Sequence, residues 1–158
     1  MVVGLGGVGS YAAEFIARSG VGKMTIIDGD VVDPSNRNRQ LPALSTNHGE
    51  SKALIMAERL KAINPELELE VVREFINPAM VEQLLIQRPS YIIDAIDSIT
   101  PKINFIKNAY EMGIPIVSSM GAGAKLDPTQ LKVVDISKTW NCPFAQQVRK
   151  ELKKYGIY

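Results

Sequence analysis

"GLGGVGS" occupies residues 4–10, directly after the apolar "MVV". Its spaced glycines, Gly4, Gly6 and Gly9, lie between that apolar start and the helix-like "GSYAAEFIARS" of residues 9–19. A strand, a tight glycine turn and a helix in this order make a phosphate-binding loop. The first glycine permits the turn, the second lets the backbone approach phosphate, and the third packs helix on strand, while the helix N-terminus supplies amide donors to the anion. Such a loop is completed by an acid about 20 residues further on, which binds ribose hydroxyls. Asp28 holds that place at the end of "KMTIID".

Outward from the loop, strand and helix patterns alternate, which predicts a parallel sheet with helical crossovers. "MVVGL" reads as the remnant of a first strand, too short for a central one, and residues 23–28 as the second. "GDVVDPSNRNRQ" is too rich in Asp, Asn, Arg and Pro to be either element. Ala53, Met56, Ala57, Leu60 and Ile63 then recur at helical spacing, predicting a helix over about residues 50–63. "LELEVVREF", "YIIDAID", "IPIVSS" and "LKVVDI" read as further strands. Helices are expected over "PAMVEQLLIQR", over "KINFIKNAYEM" with Thr100 as cap and Pro101 at its first position, and over "FAQQVRKELKKY". The expected fold is α/β: a doubly wound, mostly parallel Rossmann-like sheet with helices on both faces, its ligand beyond the carboxyl ends of the strands.

The charged residues choose between nucleotides. A nicotinamide cofactor carries only a pyrophosphate, whereas Asn36, Arg37, Asn38, Arg39 and Gln40 crowd the loop after Asp28. Arginine's planar fork suits multidentate phosphate recognition. Lys52 falls in the first turn of a helix, where the macrodipole disfavours a cation unless an anion is bound there. Asp94 and Asp97 in "DAIDS" stand at or near the end of a buried strand. A hard carboxylate beside a polyphosphate is what magnesium requires, together with phosphate oxygens and waters. Asp97 is the better placed of the two, and Asp94 is open between that role and a pairing with backbone. Arginine, lysine and a metal acid around one loop point to a triphosphate that reacts.

In order and spacing, "GLGGVGS", "IIDGD", "PSNRNRQ", "ESK" and "DAIDS" resemble the adenylating superfamily of the ThiF, MoeB and ubiquitin-activating enzymes. The resemblance implies that Gly4, Gly6, Gly7 and Gly9 line the phosphates and that Asp28 binds ribose. It further implies that Asn36, Arg39 and Lys52 hold the polyphosphate and that Asp97 ligates magnesium. Arg39, Lys52 and Asp97 would be the catalytic set. "DAIDSITPK", "GAGAKLDPTQLKVVDISKT" and the basic helix after "CPFA" are similar to the tRNA threonylcarbamoyladenosine dehydratase branch. That branch implies ATP and Mg2+, with a monovalent cation as a further candidate. It also implies a tRNA carrying threonylcarbamoyladenosine as substrate, a homodimer, a cytoplasmic location and a sulfur-transfer protein as a candidate partner. The runner-up reading is an adenylyltransferase for a ubiquitin-like or sulfur-carrier protein tail, and a third is a nicotinamide-binding module without chemistry. The carrier-protein branches usually hold zinc on paired CxxC motifs, which a chain with one cysteine lacks.

Composition fits these readings. The chain has 158 residues, 46% hydrophobic and 22% charged, so it suits one folded domain, expected to be a single ATP-binding unit shortened at its N-terminus, with a shortened C-terminus as a further candidate. A net charge of +1 excludes a strong whole-surface field. Residues 132–158 are nonetheless locally basic, with Lys132, Lys138, Arg149, Lys150, Lys153 and Lys154 against Asp135 and Glu151. Cys142 alone rules out an intrachain disulfide. It reads as structural, with a thioester-forming nucleophile as the alternative. Trp140 is expected to pack on its own domain rather than on a base, and His48 to lie at the surface or cap a turn.

Overall fold

The computed structural model describes residues 1–158. Five parallel strands form one sheet in the order β3-β2-β1-β4-β5: β1 (Val2–Val3), β2 (Lys23–Ile27), β3 (Glu68–Val72), β4 (Ile92–Asp94) and β5 (Ile116–Ser118). The helices are α1 (Gly9–Arg18), α2 (Lys52–Ile63), α3 (Pro78–Ile86), α4 (Ile99–Glu111) and α5 (Pro143–Lys153). Strand order reverses between β1 and β4, which opens a crevice beyond their carboxyl ends.

Alternation along the strands builds two cores. Val2 and Ile26 face Ala13, Ala17, Met56 and Leu60 of α1 and α2. Val3 and Ile27 point the other way, to Leu84, Leu85, Phe105 and Ala109 of α3 and α4. Each fully buried side chain of this size contributes about 1.5–3 kcal/mol. Because α4 carries Ile103 and Ile106 on a second buried face, α5 packs there through Val148 and Leu152 and forms a third cluster.

Three expectations are corrected. The two-residue β1 is central, paired in register with Ile26–Ile27 on one side and Ile93–Asp94 on the other. Its flanks extend the ladder, since Ile93 donates to the Met1 carbonyl and Gly4 to that of Ile27. Helix α4 begins earlier than its cap pattern suggests: Ser98 holds the cap position and its carbonyl accepts from Lys102. Thr100 and Pro101 therefore fall inside the first turn, where proline's missing N–H costs nothing. "LKVVDI" is not a strand. It pairs with no strand of the sheet, and Leu131 and Val133 are 86% and 90% exposed.

The glycine turn is where the chain comes closest to itself. Gly4 has φ +85°, and a Cβ there would lie 2.7 Å from the Ala95 carbonyl oxygen. A Cβ on Gly9 would lie 1.7 Å from the carbonyl oxygen of Gly4. Gly9→Ala is expected to destabilise the protein by at least the about 1–3 kcal/mol typical of overpacking, measured by urea unfolding. An unchanged midpoint would show that the turn relaxes freely.

Candidate functional site

The turn leaves donors free. Leu5 N–H donates to Asp28 Oδ2 at 2.6 Å, but the amides of Gly6, Gly7, Val8 and Gly9 make no hydrogen bond within the chain. Four unpaired N–H groups at the start of α1 form an anion-binding end. Asp28 sits at the exit of β2, and its second oxygen accepts from Asp30 N–H at 2.7 Å. Burial raises its pKa above the ordinary carboxylate value, against the opposing pull of the Leu5 and Asp30 amides and the Lys52 charge. The carboxylate thus stands beside the free amides, half-buried and oriented by backbone.

The loop after β2 closes over the same turn. A short 3-10 turn at Pro34–Asn36 is capped by Asp33, whose N–H donates to Asn36 Oδ1 at 3.0 Å. Asn36 is therefore buried with its carbonyl oxygen committed to the loop, leaving its amide nitrogen as the group able to meet a ligand. Arg39 is exposed, its stem passes Gly7, and its Nη1 donates to Ser35 O and Asn38 Oδ1. Gln40 lies buried against Gly6 with its Oε1 unpaired. Arg37 donates to Pro34 O.

Lys52 is the first residue of α2, and only 4% of it is exposed. Its Nζ donates to Asp30 Oδ2 at 3.0 Å, and its amide to Asp30 O. An anion does face this cation at the helix start, and within the chain that anion is Asp30. The sequence carried this signal in "IIDGD", whose second acid was assigned no role above.

At the end of β4 the two acids differ. Asp97 is exposed. Asp94 is wholly buried, accepts from Ile96 N–H and Ser118 Oγ, and pairs with Lys102 Nζ at 2.8 Å. The open question about Asp94 is resolved in favour of the structural pairing. Burial lowers the pKa of Lys102, with Asp94 and then Asp97 opposing it. Sequence reasoning passed over Lys102; its spacing from Asp94 across the start of α4 was the available signal.

Elsewhere, Trp140 is 61% exposed and joins none of the three cores, contrary to expectation, while Ile136 and Phe144 on either side of it pack against the third. His48 is exposed, as expected. Cys142 caps α5, its Sγ accepting from Ala145 N–H. Burial raises this thiol's pKa, but the amides around it, Ala145 foremost, and the Lys125 charge outweigh that and set it below the ordinary value.

A parallel sheet with free amides, a ribose-type acid and two cations around one glycine turn defines a nucleotide-binding α/β protein. The chain belongs to the ThiF family, whose model matches residues 1–157. It is 49% identical over 157 residues to the tRNA threonylcarbamoyladenosine dehydratase of Escherichia coli, covering 99% of this chain and 59% of that protein. The protein of the same name from Bacillus subtilis is 46% identical over 156 residues, with 99% and 61% covered. The crystal structure of the E. coli dehydratase in complex with ATP superposes with a TM-score of 0.93 at 49% identity, over 96% of this chain and 63% of that one. The chain therefore spans about three-fifths of the length of these relatives.

Because Asp30 is half-exposed, removing its partner leaves a carboxylate that water can solvate. Lys52→Met is accordingly expected to change stability by no more than about 1 kcal/mol, read from urea unfolding. A loss of several times that would make Lys52 a structural cation rather than a ligand group.

Proposed function

We propose that this chain is the ATP-binding, carboxylate-adenylating part of a tRNA threonylcarbamoyladenosine dehydratase. The observation that carries the reading is the glycine turn with its free amides at residues 6–9, Asp28 tied to it, Arg39 beside Gly7 and the Lys52 charge acting on Asp28, with Asp97 at the next strand end. The two relatives of that name, and the ATP complex of one of them, support the choice of nucleotide and substrate.

In this reading Asp28 accepts the ribose hydroxyls, and the amides of Gly6, Gly7, Val8 and Gly9 receive the phosphate nearest the ribose. Lys52, released in part from Asp30, and Arg39 hold the outer phosphates, with the Asn36 amide beside them. No three acids, histidines or cysteines converge anywhere in the chain. Magnesium bound through one carboxylate, phosphate oxygens and waters needs no such cage, and exposed Asp97 fits that donor role. When bound, the ion would neutralise the charge gathering on the leaving pyrophosphate.

The substrate carboxylate attacks the phosphorus next to the ribose, and pyrophosphate leaves. An internal nucleophile of the same modification then attacks the activated carbonyl, forms the ring and expels AMP. One carboxylate oxygen departs in AMP, so the modification loses the elements of water. The chain's part is positioning and charge stabilisation, since the second nucleophile is already tethered.

The finer features follow the same reading. Helix α5 presents Lys150 and Lys153 without ion-pair partners, whereas Arg149 is held by Thr139 and Lys154 by Glu151. Exposed Leu126, Leu131 and Val133 suit cover by a second copy in a homodimer. No helix is long and apolar enough to cross a membrane. A cytoplasmic tRNA enzyme is the proposed setting, with a sulfur-transfer protein and a monovalent cation as candidate associates.

Full-length protein incubated with ATP, magnesium and tRNA is expected to convert the nucleoside to a product lighter by one water, detected by mass spectrometry. Asp97→Ala should slow this by orders of magnitude while melting like the parent, because the residue is exposed. An unaltered nucleoside would overturn the function, and a fast Asp97 variant the metal assignment.

Lys150→Gln with Lys153→Gln should weaken tRNA binding and flatten its salt dependence, as fewer counterions are released. Cys142→Ala should keep activity, since the cyclising nucleophile belongs to the substrate. Filter binding and turnover report both. A dead cysteine variant with normal tRNA affinity would favour a carrier protein held as a thioester.

A further inference from the structure

Resting on the reading of Asp97 as the metal-side acid, we propose that the buried Asp94–Lys102 ion pair is a positioning device that fixes the backbone from which Asp97 projects. Both side chains are fully buried and lie 2.8 Å apart. Taking two charges out of water is costly, and well-packed apolar replacements for such pairs are often as stable or more so. Holding β4 to α4 would not by itself require an ion pair.

What an apolar pair could not do is grip a peptide. Ile96 N–H donates to Asp94 Oδ1 at 3.0 Å, and Lys102 Nζ donates to the Ile96 carbonyl at 2.9 Å. The acid takes the donor end of residue 96 and the cation takes the acceptor end, one residue before Asp97. The brace is itself anchored on three sides. Ser118 Oγ donates to Asp94 Oδ2 at 2.6 Å from β5. Ser119 N–H donates to the Asp94 carbonyl at 2.8 Å. The Lys102 ammonium stands 5.7 Å from the centre of the Phe144 ring on α5, a cation–π distance.

The opposite side of this short stretch meets the glycine turn, where Ala95 O faces Gly4. Residues 94–97 are thus clamped between the phosphate loop and the brace. Charge points the same way: with Asp94 neutralised by Lys102, Asp97 is left as the uncompensated carboxylate at the strand end. Lys102 reaches no reacting atom in this arrangement; it acts through Asp97.

Lys102→Met alone strands a buried carboxylate and is expected to fold poorly. The test therefore uses Asp94→Asn with Lys102→Met in the full-length protein, which removes both charges and keeps the volumes. Two measurements are made on it and on the parent: hydrogen exchange of the peptide containing residues 96–98, and calorimetric ATP affinity with EDTA and with magnesium. The expected result is faster exchange over 96–98 with β2 unchanged, and the same ATP affinity in EDTA. The tightening by magnesium should fall about tenfold to hundredfold, the usual loss when a group that orients a metal ligand is removed. Unchanged exchange overturns the brace. Faster exchange with undiminished magnesium tightening overturns its link to Asp97. If the parent itself shows no magnesium tightening, the metal reading of Asp97 fails, and the exchange data still decide whether the pair holds the peptide.

Discussion

Everything in this fold turns on the contact between Gly4 and Gly9. Helix α1 can begin against the end of β1 only because no Cβ stands between them. That closeness puts the start of the helix over the centre of the sheet, with its first amides unpaired and facing the crevice. Neighbouring strand ends then contribute one group each: Asp28 from β2, held by the Leu5 amide, and Asp97 from β4. A bulkier residue at either glycine would separate helix from strand and scatter the donors. Two apolar cores, one on each face of the sheet, offset the cost of a turn that leaves its amides unpaired.

Electrostatics in the site follows a simple division. Asp28 is half-buried and Asp97 exposed, while Asp94 is buried and matched by a lysine. Lys52 shows the intermediate case: its stem is buried, and its charge rests on a half-exposed acid. Burial raises the pKa of Asp28, while the Leu5 and Asp30 amides and the Lys52 charge pull it back.

The architecture was legible because its signals are local. Glycine spacing, the acid ending β2 and the 3.6-residue rhythm of α2 each depend on a few neighbours, and each was found where expected. What was missed depends on partners far along the chain. Residues 131–136 have the composition of a strand, but they pair with neither edge strand of the sheet, and Leu131 and Val133 stay in solvent. Trp140 looked like an anchor, yet no core reaches it. Lys102 looked like an ordinary helix lysine, since its spacing from Asp94 becomes a signal only once the end of β4 is known to face the first turns of α4. Asp30 was hidden differently: the sequence placed an anion by Lys52 without saying that the chain supplies one of its own.

Helix α5 lies chiefly on α4, and its cluster of Val148, Leu152 and Ile157 meets the sheet at Ile116 of β5, which also packs against the second core. Cooperative units in proteins commonly follow such boundaries, and opening free energies differ from unit to unit. By that rule the outer layer is expected to open more readily than the glycine turn, with Phe144 beside Lys102 as the link between them. A large polyanion could reshape that layer to fit without the sheet giving up its register.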